Sequence, residues 1–156
     1  MSIPTVKEVK KALSIIGKAH GFLCENEHKI MAEQPWGILA IIDHVWFKRI
    51  PILEQNIPVV AFEITTTISK LWTMKLMKGD LTNLRLLQAS CGVLIVPKER
   101  WKENPPQGYE NFVNRMENYL ETLKKIASPM RLELWDLDQV LSYSKTVSNR
   151  EVSKHA

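Results

Sequence analysis

Cysteine is scarce in this sequence, and long apolar runs are missing from it. The two cysteines, Cys24 and Cys91, form no Cys-x-x-Cys pair, and each stands beside a strand-like segment. This usage gives no zinc motif and is typical of buried thiols in a reducing compartment. No apolar run approaches the roughly 20 residues that span a bilayer, and the polar start at 1–7 lacks the apolar core of a secretory signal. We therefore expect a cytoplasmic protein without a membrane partner.

Internal repeats and low-complexity tracts are also missing. The chain has 156 residues, of which 45% are hydrophobic. This is enough to bury one substantial core, but the chain is too short for two ordinary domains. The segment 145–156 has no apolar periodicity. We predict a single domain over residues 1–144, followed by a mobile tail over 145–156.

The remaining pattern alternates between strand-like and helical segments. Runs rich in β-branched and aromatic residues occupy 22–31, 38–47, 58–66, 91–97 and 130–135. Helical periodicity occupies 5–20, 68–77, 80–89 and 110–127, with a loop at 102–108 and a helical turn at 138–143. We expect a break at Gly79, with Asp80 capping the helix that follows. The pattern predicts an α/β sandwich with a mixed central sheet flanked by helices.

Two acidic residues interrupt apolar strand-like runs. Asp43 follows Ile-Leu-Ala-Ile-Ile, and Glu63 follows Pro-Val-Val-Ala-Phe. An ionised carboxylate in a half-buried strand is costly unless a cation or donor network compensates it, so two such residues in consecutive strands indicate a shared site. Because strand side chains alternate, Asp43 lies on the face opposite His44, for which a packed or hydrogen-bonded role is expected. Two carboxylates are sufficient for Mg²⁺, which keeps several waters.

These residues carry a resemblance to a known superfamily. An aspartate strand is followed about twenty residues later by a strand ending in Phe-Glu63-x-x-x, and then by a basic helical segment leading to Gly-Asp-x-x-Asn-Leu. Over residues 5–97 this order resembles the PD-(D/E)XK nucleases, which have the restriction-endonuclease-like fold. The resemblance implies a metal-dependent DNA endonuclease in which Asp43, Glu63 and the backbone carbonyl of Ile64 hold Mg²⁺, with Mn²⁺ as a substitute.

One position departs from the pattern of that superfamily. Two residues after the glutamate its members usually carry a lysine that orients or activates the attacking water, whereas this chain has Thr65. Some members have Glu-x-Thr or Glu-x-Ser and take a basic residue from the next helix. The candidates for this catalytic lysine are Lys70, Lys75 and Lys78, of which Lys70 is the closest in sequence. Alternatively, the chain has lost cleavage and acts as a nucleic-acid-binding or assembly module.

The charge distribution is compatible with DNA as the partner. The formal net charge is +4, and basic residues follow the Glu63 strand at Lys75, Lys78 and Arg85. Side chains of this kind neutralise phosphates and give salt-sensitive affinity that depends little on sequence. An ordinary solvated helix surface is the alternative.

Other interpretations remain open at this point. The structural alternative for Asp43 and Glu63 is a position in a turn or on an edge strand. A third interpretation is a small α/β domain in which these acids have only a structural role. A further acid of the site is available from the first helix or strand, and the candidates are Glu8, Glu25, Glu27 and Glu33. Nucleases that cut two strands are often homodimers, and apolar residues at Trp72, Met74 and Met77 are available for such an interface or for core packing.

Overall fold

The computed structural model of the chain describes residues 2–33, 37–67, 74–105 and 111–155. For residues 74–76 and 155 it describes the backbone alone. The sequence folds in the order α1 Val6–Ala19, β1 Leu23–Met31, β2 Ile38–Ile50, β3 Gln55–Ile64, α2 Met74–Leu87, β4 Cys91–Val96, α3 Lys98–Glu103, α4 Phe112–Ala127, β5 Arg131–Asp136 and α5 Leu137–His155. A short 3-10 turn, Pro51–Leu53, joins β2 to β3.

The strands form one five-stranded mixed sheet in the order β1-β2-β3-β4-β5. The first three strands pair antiparallel as a meander. β4 pairs parallel with β3, and β5 pairs parallel with β4. Parallel pairing requires a crossover connection, which α2 and α4 supply. The predicted α/β sandwich with a mixed central sheet is confirmed.

Helices cover both faces of the sheet. On one face α1 and α5 pack over Trp46, Phe62 and Ile95. On the other face α2 and α4 pack over Ala61 and Leu94. Adjacent residues of β3 and β4 thus belong to opposite layers, as the alternation of strand side chains requires. Both layers of apolar contacts hold the sheet in the middle of the molecule.

Two local contacts fix the first helix. Thr5 and Glu8 form a capping box, in which the Glu8 amide donates to Thr5 Oγ1 at 3.2 Å and the Thr5 amide donates to Glu8 Oε2 at 2.6 Å. Trp46 Nε1 donates to the Leu13 carbonyl at 3.0 Å and ties α1 to β2. The close approach at Gly17 has the same cause, since an added Cβ would lie 2.5 Å from Trp46 Nε1.

The structure corrects several predicted boundaries. The helix break at Gly79 is wrong, because α2 continues through Gly79 and Asp80. The predicted loop at 102–108 overlaps α3, whose Trp101 is buried in the core beside α4. The helical turn at 138–143 is part of a longer helix, α5.

The end of α5 lies where a mobile tail was expected. The helix runs without interruption across the boundary drawn between residues 144 and 145. Val147, beyond that boundary, is 5% exposed. Residues 145–155 thus continue the helix, and their mobility stays a prediction. No helix within the described ranges is both long and apolar enough to cross a membrane.

Candidate metal-binding site

Asp43 lies where β2 and β3 stop pairing. The regular antiparallel register between these strands reaches His44 and Phe62. At the next position the backbone amide of Ile64, the last residue of β3, donates to Asp43 Oδ2 at 2.7 Å. A side-chain acceptor replaces the ladder bond there, which holds the Asp43 carboxylate at the carboxyl end of β3.

Glu63 projects from β3 toward the layer that contains α2. Its neighbour on the same strand face, Ala61, belongs to the core under α2, whereas Phe62 and Ile64 belong to the opposite layer. Glu63 is only 8% exposed. Its Oε1 is buried and has no hydrogen-bond partner among the residues that the structure describes. Because buried polar atoms in proteins nearly always have a partner, this oxygen is available to a ligand.

A third acid, Asp80, joins them from α2. Met77, Leu81 and Leu84 form the buried face of that helix. Asp80 lies three residues after Met77 and four before Leu84, at the spacing that places side chains on one helical face. It is half-buried, and its carboxyl group interacts with that of Asp43.

The pKa values of Glu63 and Asp80 reflect burial and the charges of neighbouring carboxylates. Burial, followed by the charges of Asp43 and Asp80, raises the pKa of Glu63 to about 9. Hydrogen bonding with the Asp43 side chain acts in the same direction, and hydrogen bonding with the Asp43 backbone opposes it. Burial and the charge of Asp43 raise the pKa of Asp80 to about 7. Without a cation, the cluster therefore retains protons at neutral pH.

No positive side chain offsets the three acids in the part of the chain that the structure describes. None of the Lys, Arg and His ion pairs found there involves Asp43, Glu63 or Asp80. A buried carboxylate with two acidic neighbours, and with no compensating cation among the described residues, is an environment that a metal ion stabilises.

The donor set fits a hard divalent cation. Mg²⁺ prefers oxygen ligands, takes one or two carboxylates and fills its remaining positions with water. Asp43 Oδ2 accepts from the Ile64 amide, and Glu63 Oε1 has no hydrogen-bond partner in the described part of the chain. Within residues 2–33, 37–67, 74–105 and 111–155, no group of three or more His, Cys, Asp or Glu side chains is arranged to hold an ion by itself. Water ligands would therefore supply much of the coordination.

The structure brings together some of the predicted site residues and leaves others outside the described ranges. Asp43 and Glu63 are together, as predicted. Ile64 adjoins them, although its observed contact is through the amide nitrogen rather than the carbonyl that we expected to bind metal. Thr65 follows in a half-buried position, where its amide donates to the Ile95 carbonyl at 2.9 Å. Lys70, the predicted catalytic lysine, lies outside the described residues.

Two of the three predicted DNA-binding residues can be placed. Lys78 and Arg85 are exposed and stand seven residues apart on α2, so they share the outward face of that helix. The side chain of Lys75 lies outside the described part of the structure. α2 thus presents Asp80 toward the acid cluster and basic residues toward solvent.

None of the glutamates considered as a further acid is found at this site. Glu8 caps α1. Glu25 Oε1 lies 3.2 Å from His28 Nδ1, and Glu27 Oε1 lies 3.5 Å from Lys10 Nζ. Glu33 is exposed on the chain that follows β1.

His44 is a buried packing residue, as its strand position predicted. It is fully buried, and its Nδ1 lies 2.6 Å from Asn26 Oδ1. Burial, assisted by the charge of Lys10, lowers the pKa of His44 to about 4. The histidine is therefore neutral at physiological pH and contacts Phe62 in the aromatic cluster on the opposite face of the sheet.

The residues proposed for a dimer interface do not support one in the described part of the chain. Met77 is 2% exposed and belongs to the core under α2, in agreement with core packing, the alternative to an interface that was considered for it. Trp72 and the side chain of Met74 lie outside the described residues.

Asp80 is the site residue that the sequence interpretation missed. Its position after Gly79 favoured a helix cap, and a signal for the site was present in its spacing from Met77 and Leu84. An acid on the apolar face of a helix is as exceptional as an acid in an apolar strand.

Comparison with known proteins gave no match. No protein-family model matches the chain. No curated protein and no solved structure matches it either.

Proposed function

We propose that this protein is a Mg²⁺-dependent phosphodiester hydrolase that acts on DNA. The observation that carries the proposal is the buried Glu63 beside the half-buried Asp43 and Asp80, with Glu63 Oε1 unpaired and no basic partner among the described residues. Carboxylates at the end of paired strands are a common way to hold Mg²⁺ beside a phosphate.

The order of elements supports the same proposal. The resemblance to the PD-(D/E)XK nucleases leads one to expect a helix, three strands, a helix and a further strand, with the acids on the second and third strands. The chain has α1, β1, β2, β3, α2 and β4 in this order, with Asp43 on β2 and Glu63 on β3. This agreement favours a restriction-endonuclease-like arrangement.

The residues of the site have separate roles in this proposal. A bound divalent cation would supply Lewis-acid activation of the phosphate and an acidified water. Asp43, fixed by the Ile64 amide, sets where the cation lies. Glu63 supplies the unpaired oxygen. The burial of Glu63 limits solvent around its carboxylate, which strengthens its interaction with a cation.

DNA is the substrate that the surface charges favour. Lys78 and Arg85 on the outward face of α2 are positioned to neutralise phosphates of a strand that crosses the helix. We expect Lys78→Ala and Arg85→Ala to weaken DNA binding similarly on unrelated sequences. Each variant should reduce the slope of log Kd against log salt concentration by about one.

A non-catalytic DNA-binding module is the second candidate, and Thr65 favours it. The residue two positions after Glu63 is neutral, and its amide is engaged with Ile95. Cleavage then needs a positive charge from elsewhere, for which Lys70 is the proposed source. Without such a charge the fold would retain metal and nucleic-acid binding but not the chemistry.

Metal binding is tested first, by thermal unfolding with Mg²⁺ or Mn²⁺. An ion that binds only the folded state raises Tm, and at 100 times its Kd it adds about 2.7 kcal/mol to the free energy of unfolding. The Asp43→Asn/Glu63→Gln double variant is the matched control and should show no such rise. An equal rise in the variant would place the metal elsewhere and refute the proposed site.

Cleavage is tested on duplex, single-stranded and branched DNAs in the presence of Mg²⁺. Lys70→Ala should abolish nicking with little effect on Kd, because a group at the scissile phosphate acts mainly in the transition state. Thr65→Lys places an ammonium on the same strand face as Glu63. Cleavage by Thr65→Lys, with none by the wild type, would reject the hydrolase and support the binding module.

A further inference from the structure

The hairpin that joins β2 to β3 projects beyond the rest of the sheet. The pairing of β1 with β2 ends at Leu23 and Phe47, and the pairing of β4 with β3 begins only at Val60. Residues 48–57, called the arm below, are therefore a two-stranded ribbon that no third strand of the described sheet flanks. Every residue from 51 to 57 is exposed. The arm is thus accessible to a partner.

The turn of the arm has a defined conformation. Pro51–Leu53 form a 3-10 turn, and the Glu54 amide donates to the Pro51 carbonyl at 3.0 Å. Proline holds its own φ near about −65°, and Glu54 adopts the left-handed conformation with a φ of 51°. The pairing of β2 with β3 continues up to this turn. A preorganised element of this kind loses little conformational entropy when it binds.

One face of the arm carries an arginine and an asparagine. Arg49 and Asn56 are cross-strand partners, so their side chains share a face. Both residues are exposed, and none of the ion pairs in the described part of the chain involves Arg49. In the major groove of DNA, arginine makes bidentate hydrogen bonds with guanine and asparagine makes them with adenine. The same groove admits a two-stranded β-ribbon.

We propose that the arm enters the major groove of duplex DNA, where Arg49 and Asn56 contact base edges. The inference rests on the proposed function, because it concerns the same DNA. Arg49 follows Phe47 by two residues and therefore faces the layer of α2, to which Phe47 belongs. Glu63 and the basic outward face of α2 lie on that side of the sheet as well. One duplex can thus contact the acid site, α2 and the arm together.

Charge and composition favour DNA over a protein as the partner of the arm. Its stems carry two positive charges, at Lys48 and Arg49, and its turn carries one negative charge, at Glu54. The tip is apolar, with Ile52 90% exposed and Leu53 55% exposed. In the major groove, apolar side chains contact the methyl group of thymine. A second copy of the chain could cover the tip, but it would not account for the polar pair on the stems.

The length of β3 sets where the arm reads DNA relative to the acid site. Asn56 and Glu63 are seven residues apart on this strand, which corresponds to about 20 Å. B-DNA advances about 3.4 Å per base pair. The base preference should therefore lie about six base pairs from the phosphate that occupies the acid site.

Selection from a pool of randomised duplexes tests the arm. The purified protein is mixed with the pool in EDTA, which prevents metal-dependent cleavage, and the bound duplexes are sequenced. The wild type should enrich a short base pattern. Arg49→Ala should lose enrichment of a guanine, and Asn56→Ala should lose enrichment of an adenine. Each variant should bind the enriched duplex about 10- to 100-fold more weakly.

Lys48→Ala is the matched control, because it removes the same charge from the opposite face of the arm. It should weaken binding to all duplexes equally and keep the wild-type base pattern. Light scattering of Ile52→Glu and of the wild type measures whether the tip joins two copies of the chain.

The outcomes separate the arm from the proposed function. Equal binding of all duplexes by the wild type, or a wild-type pattern in both Arg49→Ala and Asn56→Ala, overturns the arm and leaves a hydrolase without base preference. A lower molar mass for Ile52→Glu, with a base pattern that Arg49→Ala does not change, would assign the arm to a second copy instead. No DNA binding by the wild type, with Mg²⁺ or without it, refutes the proposed function itself. The wild-type selection requires no variant, so the test survives a variant that fails to fold.

Discussion

The buried acid Glu63 is expected to make the metal-free protein less stable as the pH rises above neutral. Its ordinary pKa is 4.5, and burial with the charges of Asp43 and Asp80 raises it to about 9 in the folded protein. Between these values the folded state binds a proton that the unfolded state lacks. The free energy of unfolding then falls by about 1.36 kcal/mol per pH unit. The stabilisation is complete below pH 4.5 and disappears as the pH passes 9.

The interval from pH 7 to 8.5 separates Glu63 from the other buried groups. Asp80, with its pKa raised to about 7, titrates mainly at the lower limit of this interval. His44 has the opposite effect, because its pKa is lowered from 6.5 to about 4, and its contribution is complete by pH 7. Across the interval the free energy of unfolding should therefore fall by about 2 kcal/mol.

Urea unfolding in EDTA, followed by tryptophan fluorescence, measures this change. Glu63→Gln is the matched control, since the amide preserves the shape of the side chain but does not ionise, and its stability should be nearly constant across the interval. Saturating Mg²⁺ should also flatten the wild-type dependence, because the cation favours the ionised carboxylate. An equal fall in Glu63→Gln, or no fall in the metal-free wild type, refutes a protonated Glu63.

Three further predictions concern stability. Gly79→Ala should stabilise the protein by about 0.5–1 kcal/mol, since its Cβ meets open space on α2. Gly17→Ala should destabilise it by about 1–3 kcal/mol through overlap with Trp46. In the same denaturation assay, the two glycine variants should change the free energy of unfolding in opposite directions. Changes in the same direction would contradict the packing described around these glycines. Removing residues 147–156 should cost about 1–3 kcal/mol because Val147 is buried; unchanged stability would show that the end of α5 is not docked.

The parts of the fold that the sequence predicted are those with a dominant periodic signal. The apolar strands of the sheet stand out because both of their faces are covered, and Val93 to Val96 show this most clearly. Asp43 and Glu63 were identifiable because an acid is exceptional in such a run.

The parts that could not be predicted have weak or competing local signals. α3 is a short helix next to a proline-rich segment, and the burial of Trp101 against Phe112 stabilises it. The end of α5 is mostly polar, so its helical state depends on packing against α1, which lies far away in sequence. Asp80 follows a glycine, and this favoured a helix start although α2 is continuous there. In each case tertiary contacts outweighed the local pattern.

The crossover from β3 through α2 to β4 links the acid site to the order in which the chain assembles. β1, β2 and β3 pair through short connections, whereas the pairing of β4 with β3 must close the intervening segment that contains α2. Closing a longer segment costs more entropy, so we expect this pairing to form later. Asp43 and Glu63 would then come together with the early meander, and Asp80 would join them with the crossover. A cation shared among the three acids would hold α2 against the sheet. Mg²⁺ should therefore slow amide hydrogen exchange in α2 more than in α1.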